Sequence, residues 1–184
     1  MLHPELVDVL FRPDTPHQDA WVGEVTGTPS RTEYVPLRYL SYRYVITFTH
    51  PGEYFGLGDA DVEEFAPGMF TKGIVPHSDS RLIKFHRAEA DVTDAEGAYN
   101  PAKWRLGRPR EVFQFGDYLL KAIAQHSVVV PQTVEYYYMA TNTKLESLYG
   151  RIFGKRVVDD NLRLFEPILG SPGELYGYRK KADV

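Results

Sequence analysis

Cysteine is absent from the 184 residues. That excludes disulfides, thiolate nucleophiles and cysteine-ligated metal, and it fits a reducing compartment. No apolar run approaches the ~20 residues that span a bilayer. The first eleven residues, MLHPELVDVLF, carry acids and no basic lead, so no secretory signal is expected. A cytoplasmic protein without membrane contact is the expectation. Positive charge is also short: 21 Lys and Arg against 25 Asp and Glu leave a formal net charge of -4. Bulk nucleic-acid binding, which needs a basic surface, is not expected. Internal repeats and low-complexity stretches are missing. The six histidines show no HExxH or paired spacing. His86, Glu89 and Asp91 would meet at a metal only if their strand bent, so no metal site is expected. His77, Ser78 and Ser80 lie together without the Gly-x-Ser-x-Gly elbow of a serine hydrolase.

What the chain has in quantity is hydrophobic side chains, 43%, and aromatics, 14%, with 13 Tyr and 10 Phe. That is enough apolar mass for a real core, and the length fits one domain over 1–184. Tyrosine buried by its ring still needs a partner for its hydroxyl, so many of these should line sheet faces or a cleft. PELVDVLF (4–11) places Leu6, Val9 and Leu10 on one helical face behind Pro4. WVGEVTGT (21–28) reads as a short strand and YLSYRYVITFT (39–49) as a longer one. In the latter Tyr42, Tyr44, Ile46 and Phe48 share a face. HPGEYFGLGDAD (50–61) reads as turns. One helical turn is expected before Pro67 and Gly68. RLIKFHRAEADV (81–92) is a strand, and PREVFQFGDYLLKAIAQHS (109–127) a helix with Val112, Phe115, Leu119 and Ile123 at spacings of three or four. VEYYYMAT (134–141) is a strand by propensity. Leu145, Leu148, Tyr149, Ile152 and Phe153 then form a helical stripe, with Thr143 and Glu146 spaced as a capping box. ELYGYRKK (174–181) closes the series. Strands, helix, strand, helix, strand make an α/β (α+β) layer fold: a mixed central sheet flanked by helices.

The segment VEYYYMATNTKLESLYGRIFGK (134–155) resembles the end of a GNAT-type N-acetyltransferase. In that family the fifth strand leads through an Asn into a helix carrying Leu-Tyr-x-Arg-x-Gly-Phe. Here the corresponding residues are Asn142 and Leu148-Tyr149-Gly150-Arg151-Ile152-Phe153, with the final Gly-Phe replaced by Ile-Phe-Gly. The resemblance makes 109–126 the cofactor helix and 81–92 the strand before it. It divides the domain into a divergent acceptor-side half, 1–80, and a cofactor-side half, 81–181. Divergent members of this kind are frequent in phage genomes.

The resemblance implies an acyl-CoA-dependent N-acyltransferase, with acetyl-CoA as co-substrate and an amine-bearing small molecule or protein as acceptor. A homodimer is one assembly it allows. Direct transfer needs an amine stripped of its proton, a held oxyanion and a protonated leaving thiolate. Tyr149 matches the family's acid, and a phenol's reference pKa of roughly 10 lies above a thiol's at about 8.5. By position alone Tyr149 is equally a core residue of the stripe. Asn142 matches a cofactor contact and is equally a helix cap. Glu89 and Asp91, on one face of strand 81–92, are the candidate bases. His86 falls on the other face. Where the family shows Arg/Gln-x-x-Gly-x-Gly/Ala for pyrophosphate, this chain has WRLGRPREVF. Arg105, Arg108 and Arg110 supply positive charge beside Gly107, either as arginine forks in place of glycine N–H groups or as a solvated basic turn. The alternative is a catalytically degenerate protein of the same fold that binds a partner protein through Tyr and Arg anchors. A virion or scaffold subunit would instead form large apolar interfaces.

Overall fold

The computed structural model describes residues 4–12, 20–27, 31–69, 75–90, 108–139, 147, 150, 163–168 and 175–181. Their elements are α1 (Pro4–Leu10), β1 (Ala20–Val22), β2 (Thr26–Gly27), β3 (Thr32–Tyr39), β4 (Tyr42–Thr49), α2 (Pro51–Phe55), α3 (Asp59–Met69), β5 (Ser80–Arg87), α4 (Pro109–Val129), β6 (Glu135–Met139), β7 (Phe165–Ile168) and β8 (Leu175–Lys180). The fold is mixed α and β around one eight-stranded sheet of order β1-β3-β4-β5-β6-β8-β7, with β2 also on β3. No helix among the described residues is long and apolar enough to cross a membrane.

β3 and β4 form a hairpin closed by a two-residue turn, Tyr39 facing Tyr42. Such turns demand positive φ, and Leu40 adopts it at 54°. No strand was expected at 32–39, and Pro36 within it cannot donate to a ladder. The sheet tolerates it for a geometric reason. Pro36 accepts the Gly23 N–H at 2.8 Å, so its missing N–H would have pointed the same way, into the gap between β1 and β2.

α2 replaces turns expected after β4, and α3 extends the single helical turn expected before Pro67. In α2, Pro51 takes the first position, His50 Nδ1 accepts the Gly52 N–H at 3.1 Å, and Gly56 ends the helix at φ 68°. Histidine is not a favoured N-cap residue, which hid this helix from pattern reading. In α3 the helix runs through Pro67 to Met69, forgoing the bond a proline cannot donate.

The sheet's alternation sorts its side chains cleanly. Val35, Leu37, Tyr44, Ile46, Phe48, Ile83, Tyr136, Tyr138, Tyr176 and Tyr178 face α4, which answers with Phe115, Leu119, Leu120 and Ile123. The α4 stripe expected from sequence is thus the inner face of the main core. On the opposite face, α1 lays Val7, Leu10 and Phe11 against Val45. Beside it, Tyr54 and Phe55 of α2 pack on Leu82, Tyr137 and Leu175.

One parallel pair interrupts an otherwise antiparallel sheet: β5 beside β6, joined through α4. Its register covers only Ser80–Glu135, Arg81–Tyr136 and Leu82–Tyr137. Both strands continue, but β5 from Ile83 to Arg87 pairs only with β4 among the described residues. The direction of α4 follows from its contacts. Phe115 meets Tyr44 at 4.6 Å and Phe85 at 5.3 Å, whereas His126 meets Phe48 at 4.1 Å. The helix therefore starts at the Arg87 end of β5 and finishes at the Ser80 end.

Gly23 is where β1, β3 and α4 are tied together. Its N–H bonds Pro36, and its carbonyl accepts Gln125 Nε2 at 2.8 Å. A Cβ here would collide with the Trp21 ring and lie 2.6 Å from Pro36 Cγ. Gly23→Ala is expected to cost about 1–3 kcal/mol, the usual penalty for overpacking. Urea denaturation followed by tryptophan fluorescence measures it.

Candidate functional site

At the paired end of β5 and β6, charged groups lie buried on both faces of the seam. Toward α4, Glu33 of β3 and Arg81 of β5 are 1% and 2% exposed. Arg81 Nε reaches Glu33 Oε2 at 3.2 Å, and its Nη1 donates to the Ser78 and Ser80 carbonyls at 3.2 and 2.7 Å. His126 of α4 sets Nε2 3.5 Å from the same carboxylate oxygen, while its Nδ1 meets the Tyr136 hydroxyl at 2.7 Å. Burial lowers the His126 pKa and the Glu33 hydrogen bond only partly restores it, so the ring is neutral. Four elements are pinned by one neutralised ion pair and one imidazole.

On the other face a row crosses three strands. Ser80 of β5 donates to Glu135 Oε2 of β6 at 3.2 Å, and Arg179 of β8 ion-pairs with Glu135 Oε1. His77, just before β5, adds its Nε2 3.2 Å from Oε2. Burial opposes ionisation of Glu135, but the hydrogen bonds from His77 and Arg179 outweigh it and hold the carboxyl below the usual range. The same contact with Glu135 raises His77 above 6.5 despite its burial. Ser80 thus joins this row through its hydroxyl.

At the other end, beyond Leu82, Lys84 and His86 project on the α2 side of β5, and Phe85 and Arg87 on the α4 side. The Lys84 ammonium lies 4.4 Å from the centre of the Tyr54 ring. Burial drives the His86 pKa down to about 4, so it is neutral at physiological pH. The Arg87 guanidinium stacks 3.3 Å from the Tyr42 ring centre.

The strand predicted over 81–92 ends at Arg87, because the chain turns there: Ala88 N–H bonds Arg43 and Ala90 N–H bonds Arg87. Glu89 thus sits in a turn, not on a strand face, and pairs with Arg43 at 2.8 Å. Arg108 and Arg110 are exposed at the start of α4. There the Arg108 N–H donates to Glu111 Oε2 at 3.0 Å, and Pro109 has no N–H to offer. Asp91, Arg105, Gly107, Asn142 and Tyr149 lie outside the described residues, as does the pairing of Thr143 with Glu146. Ser147 and Gly150, within the expected last helix, are helical.

A separate open groove of about 310 Å³ lies between the β3–β4 turn and the first half of α4. Tyr39, Leu40, Gln114, Asp117, Tyr118 and Lys121 line it. The Tyr39 hydroxyl donates to Gln114 Oε1 at 3.1 Å, and Lys121 covers the Tyr118 ring at 4.8 Å. The groove sits beside β1 and β3, two strands away from the β5–β6 gap. No group of three potential metal ligands occurs among the described residues.

Sequence reasoning passed over Glu33, Arg81, His126 and Glu135. The available signal was a charge at an inward position of an apolar strand, visible for Arg81 and Glu135. Glu33 could not be found without recognising β3.

Two outcomes follow. Glu33→Gln leaves Arg81 buried without its counter-charge and should cost about 3–5 kcal/mol, whereas Glu33→Leu with Arg81→Met should recover most of that. Urea denaturation of the three proteins decides it. His77 contributes stability fully below its unfolded value of 6.5 and loses it as pH rises through the raised folded value. Glu135 contributes above 4.5 and loses it as pH falls through its depressed folded value. The stability gap between wild type and His77→Gln should be widest between 4.5 and 6.5 and close in alkaline solution. A gap that persists unchanged into alkali rules out the ion pair as its source. No family model, curated protein or solved structure matches the chain, which leaves its own geometry as the guide to what it does.

Proposed function

We propose that the protein is an acyl-CoA-dependent N-acyltransferase, most simply an acetyltransferase, in which an amine attacks the thioester directly. The observation that carries this reading is the single parallel pair whose ladder stops after Leu82–Tyr137 at the end where α4 begins. In the family that 134–155 resembles, two parallel strands splay apart beside the cofactor helix, and the resemblance makes 81–92 and 134–141 that pair. β5 from Ile83 to Arg87 lies beyond the described ladder with β6, on the side where the resemblance places an extended, amide-bearing arm bound as an added strand. In this reading Arg108 and Arg110 attract the phosphates, together with Arg105 and Gly107. Asn142 contacts the cofactor, and Tyr149 protonates the departing thiolate. Glu89 and Asp91 are the candidate bases. Glu89 ion-pairs with Arg43 at 2.8 Å. The acceptor is a small amine or a protein amine.

A second reading is favoured by one specific contact. The N-terminus of α4 would grip a pyrophosphate through backbone N–H groups, yet the Glu111 carboxylate holds one and Pro109 lacks another. This suits a protein of the same fold that has given up the cofactor and acts by binding a partner protein.

Calorimetric titration with acetyl-CoA, and with desulfo-CoA as an unreactive analogue, separates the two. The first reading expects saturable binding, weakened about tenfold by Arg108→Ala or Arg110→Ala, as for loss of a charge-assisted bond of ~1.5 kcal/mol. It also expects Glu111→Gln to tighten binding, since a competing negative charge is removed. Absence of binding at millimolar ligand favours the second reading, which affinity capture of a protein partner then tests.

A further inference from the structure

We propose that the groove beside the β3–β4 turn binds a free aromatic amino acid, held as a zwitterion between Asp117 and Lys121 of α4. The inference stands apart from the acyltransferase reading, because the groove lies against β1 and β3, two strands from β5. α4 contributes Gln114, Asp117, Tyr118 and Lys121, at i, i+3, i+4 and i+7, the spacing of one helical face. The stripe of Phe115, Leu119 and Ile123 belongs to the core, so this is a second face of the same helix. Ala20 of β1 and the hairpin residues Tyr39 and Leu40 complete the lining. The volume of about 310 Å³ lies at the low end of the roughly 300–1,000 Å³ of small-molecule pockets. It suits one ring with a small charged head.

The two charges define that head. Asp117 and Lys121 are exposed, opposite in sign and one turn apart, about 6 Å along the axis. An acid four residues before a lysine is well placed to pair with it. No ion pair joins these two among the described residues, and the Lys121 ammonium lies 4.8 Å from the centre of the Tyr118 ring instead. Asp117 makes no hydrogen bond or ion pair among the described residues. A simple amine entering the groove would meet the charge of Lys121, and a simple carboxylate that of Asp117. A molecule carrying both groups satisfies both, ammonium at Asp117 and carboxylate at Lys121. Gln114 Oε1 accepts the Tyr39 hydroxyl at 3.1 Å and keeps a second lone pair one turn before Asp117, on the ammonium side.

The rings define the rest of the ligand. Tyr118 is half-buried, and Tyr39 packs on it at 5.6 Å with a tilt of 42°. Tyr39 is itself buried and set against Phe115 at 5.8 Å, so the pair is anchored to the core. When Lys121 moves to the carboxylate it uncovers the Tyr118 ring, and the ring of the ligand takes its place. The exchange is favourable because a charge-assisted hydrogen bond is stronger than an exposed contact between a cation and a ring.

The test is calorimetric titration of the purified full chain with L-phenylalanine and with L-tryptophan. Saturable binding is expected for at least one of them. Phenethylamine and 3-phenylpropionate, which each lack one charge, and glycine, which lacks the ring, should bind about tenfold more weakly or worse. Asp117→Asn and Lys121→Gln should each weaken binding about tenfold, as for loss of one charge-assisted bond. Ala20→Leu adds bulk to the lining, leaves both charges in place, and should abolish binding. Both charged side chains are exposed, so their variants are expected to keep the melting temperature of the wild type. Absence of saturable binding of either amino acid at millimolar concentration overturns the proposal. Binding untouched by all three substitutions overturns the location. Phenethylamine or 3-phenylpropionate binding as tightly as the amino acids overturns the zwitterion.

Discussion

Parallel neighbours cannot be joined by a hairpin, and the β5–β6 pair imposes that constraint on the whole molecule. A crossover of a dozen or more residues is required, and here it contains the 21-residue α4. A helix of that length covers one sheet face from the β3–β4 turn to the start of β6, and so dictates where the main core lies. The seam is short, three residue pairs, and its backbone bonds alone would hold it poorly. Charged and polar side chains reinforce it from both faces, Glu33–Arg81–His126–Tyr136 beneath α4 and Ser80–Glu135–Arg179 on the other side. Buried pairs of this sort add little stability over apolar packing, but they penalise every alternative register heavily. Shifting β6 by one residue would turn Glu135 into the α4 face and Tyr136 out of it.

The two ends of the seam therefore differ in character. The paired end is rigid, charged and closed. The other end has a stretch of β5 beyond its described ladder with β6, aromatic rings on both faces, and the beginning of α4 above it. On one face of that end, burial lowers the proton affinity of Lys84 and His86. At the helix start the molecule makes a contrary choice, since Glu111 occupies a position where an anion would otherwise be held. On the proposed acyltransferase reading, that carboxylate competes with the cofactor's phosphates for the helix start.

Much of the architecture was legible in the sequence. The stripe of α4, the shared face of Tyr44, Ile46 and Phe48, the adjacent strands at 81 and 134, and the small helix at Pro4 all follow from period and composition. Each is a segment whose own side chains repeat at the spacing of its backbone. The misses share a cause as well. β3 contains a proline that only a gap between β1 and β2 makes harmless. α2 is capped by a histidine whose ring must be placed before it can be seen to accept a hydrogen bond. Strand 81–92 stops five residues early because Arg43, a cross-strand neighbour, accepts the Ala88 N–H and helps turn the chain.

For the site, the sequence by itself determined the absence of thiol chemistry, the mixed layer fold, and the supply of tyrosines and arginines near a helix start. Those properties are local: they depend on residue type and on neighbours within a few positions. Only the tertiary structure decided that Glu33 and Arg81, 48 residues apart, neutralise one another, that Glu89 belongs to a turn with Arg43, and that Lys84 lies over the ring of Tyr54 where two strands part. These are properties of contacts between distant segments, set by burial and by the register of a parallel seam, and no periodicity within one segment encodes them.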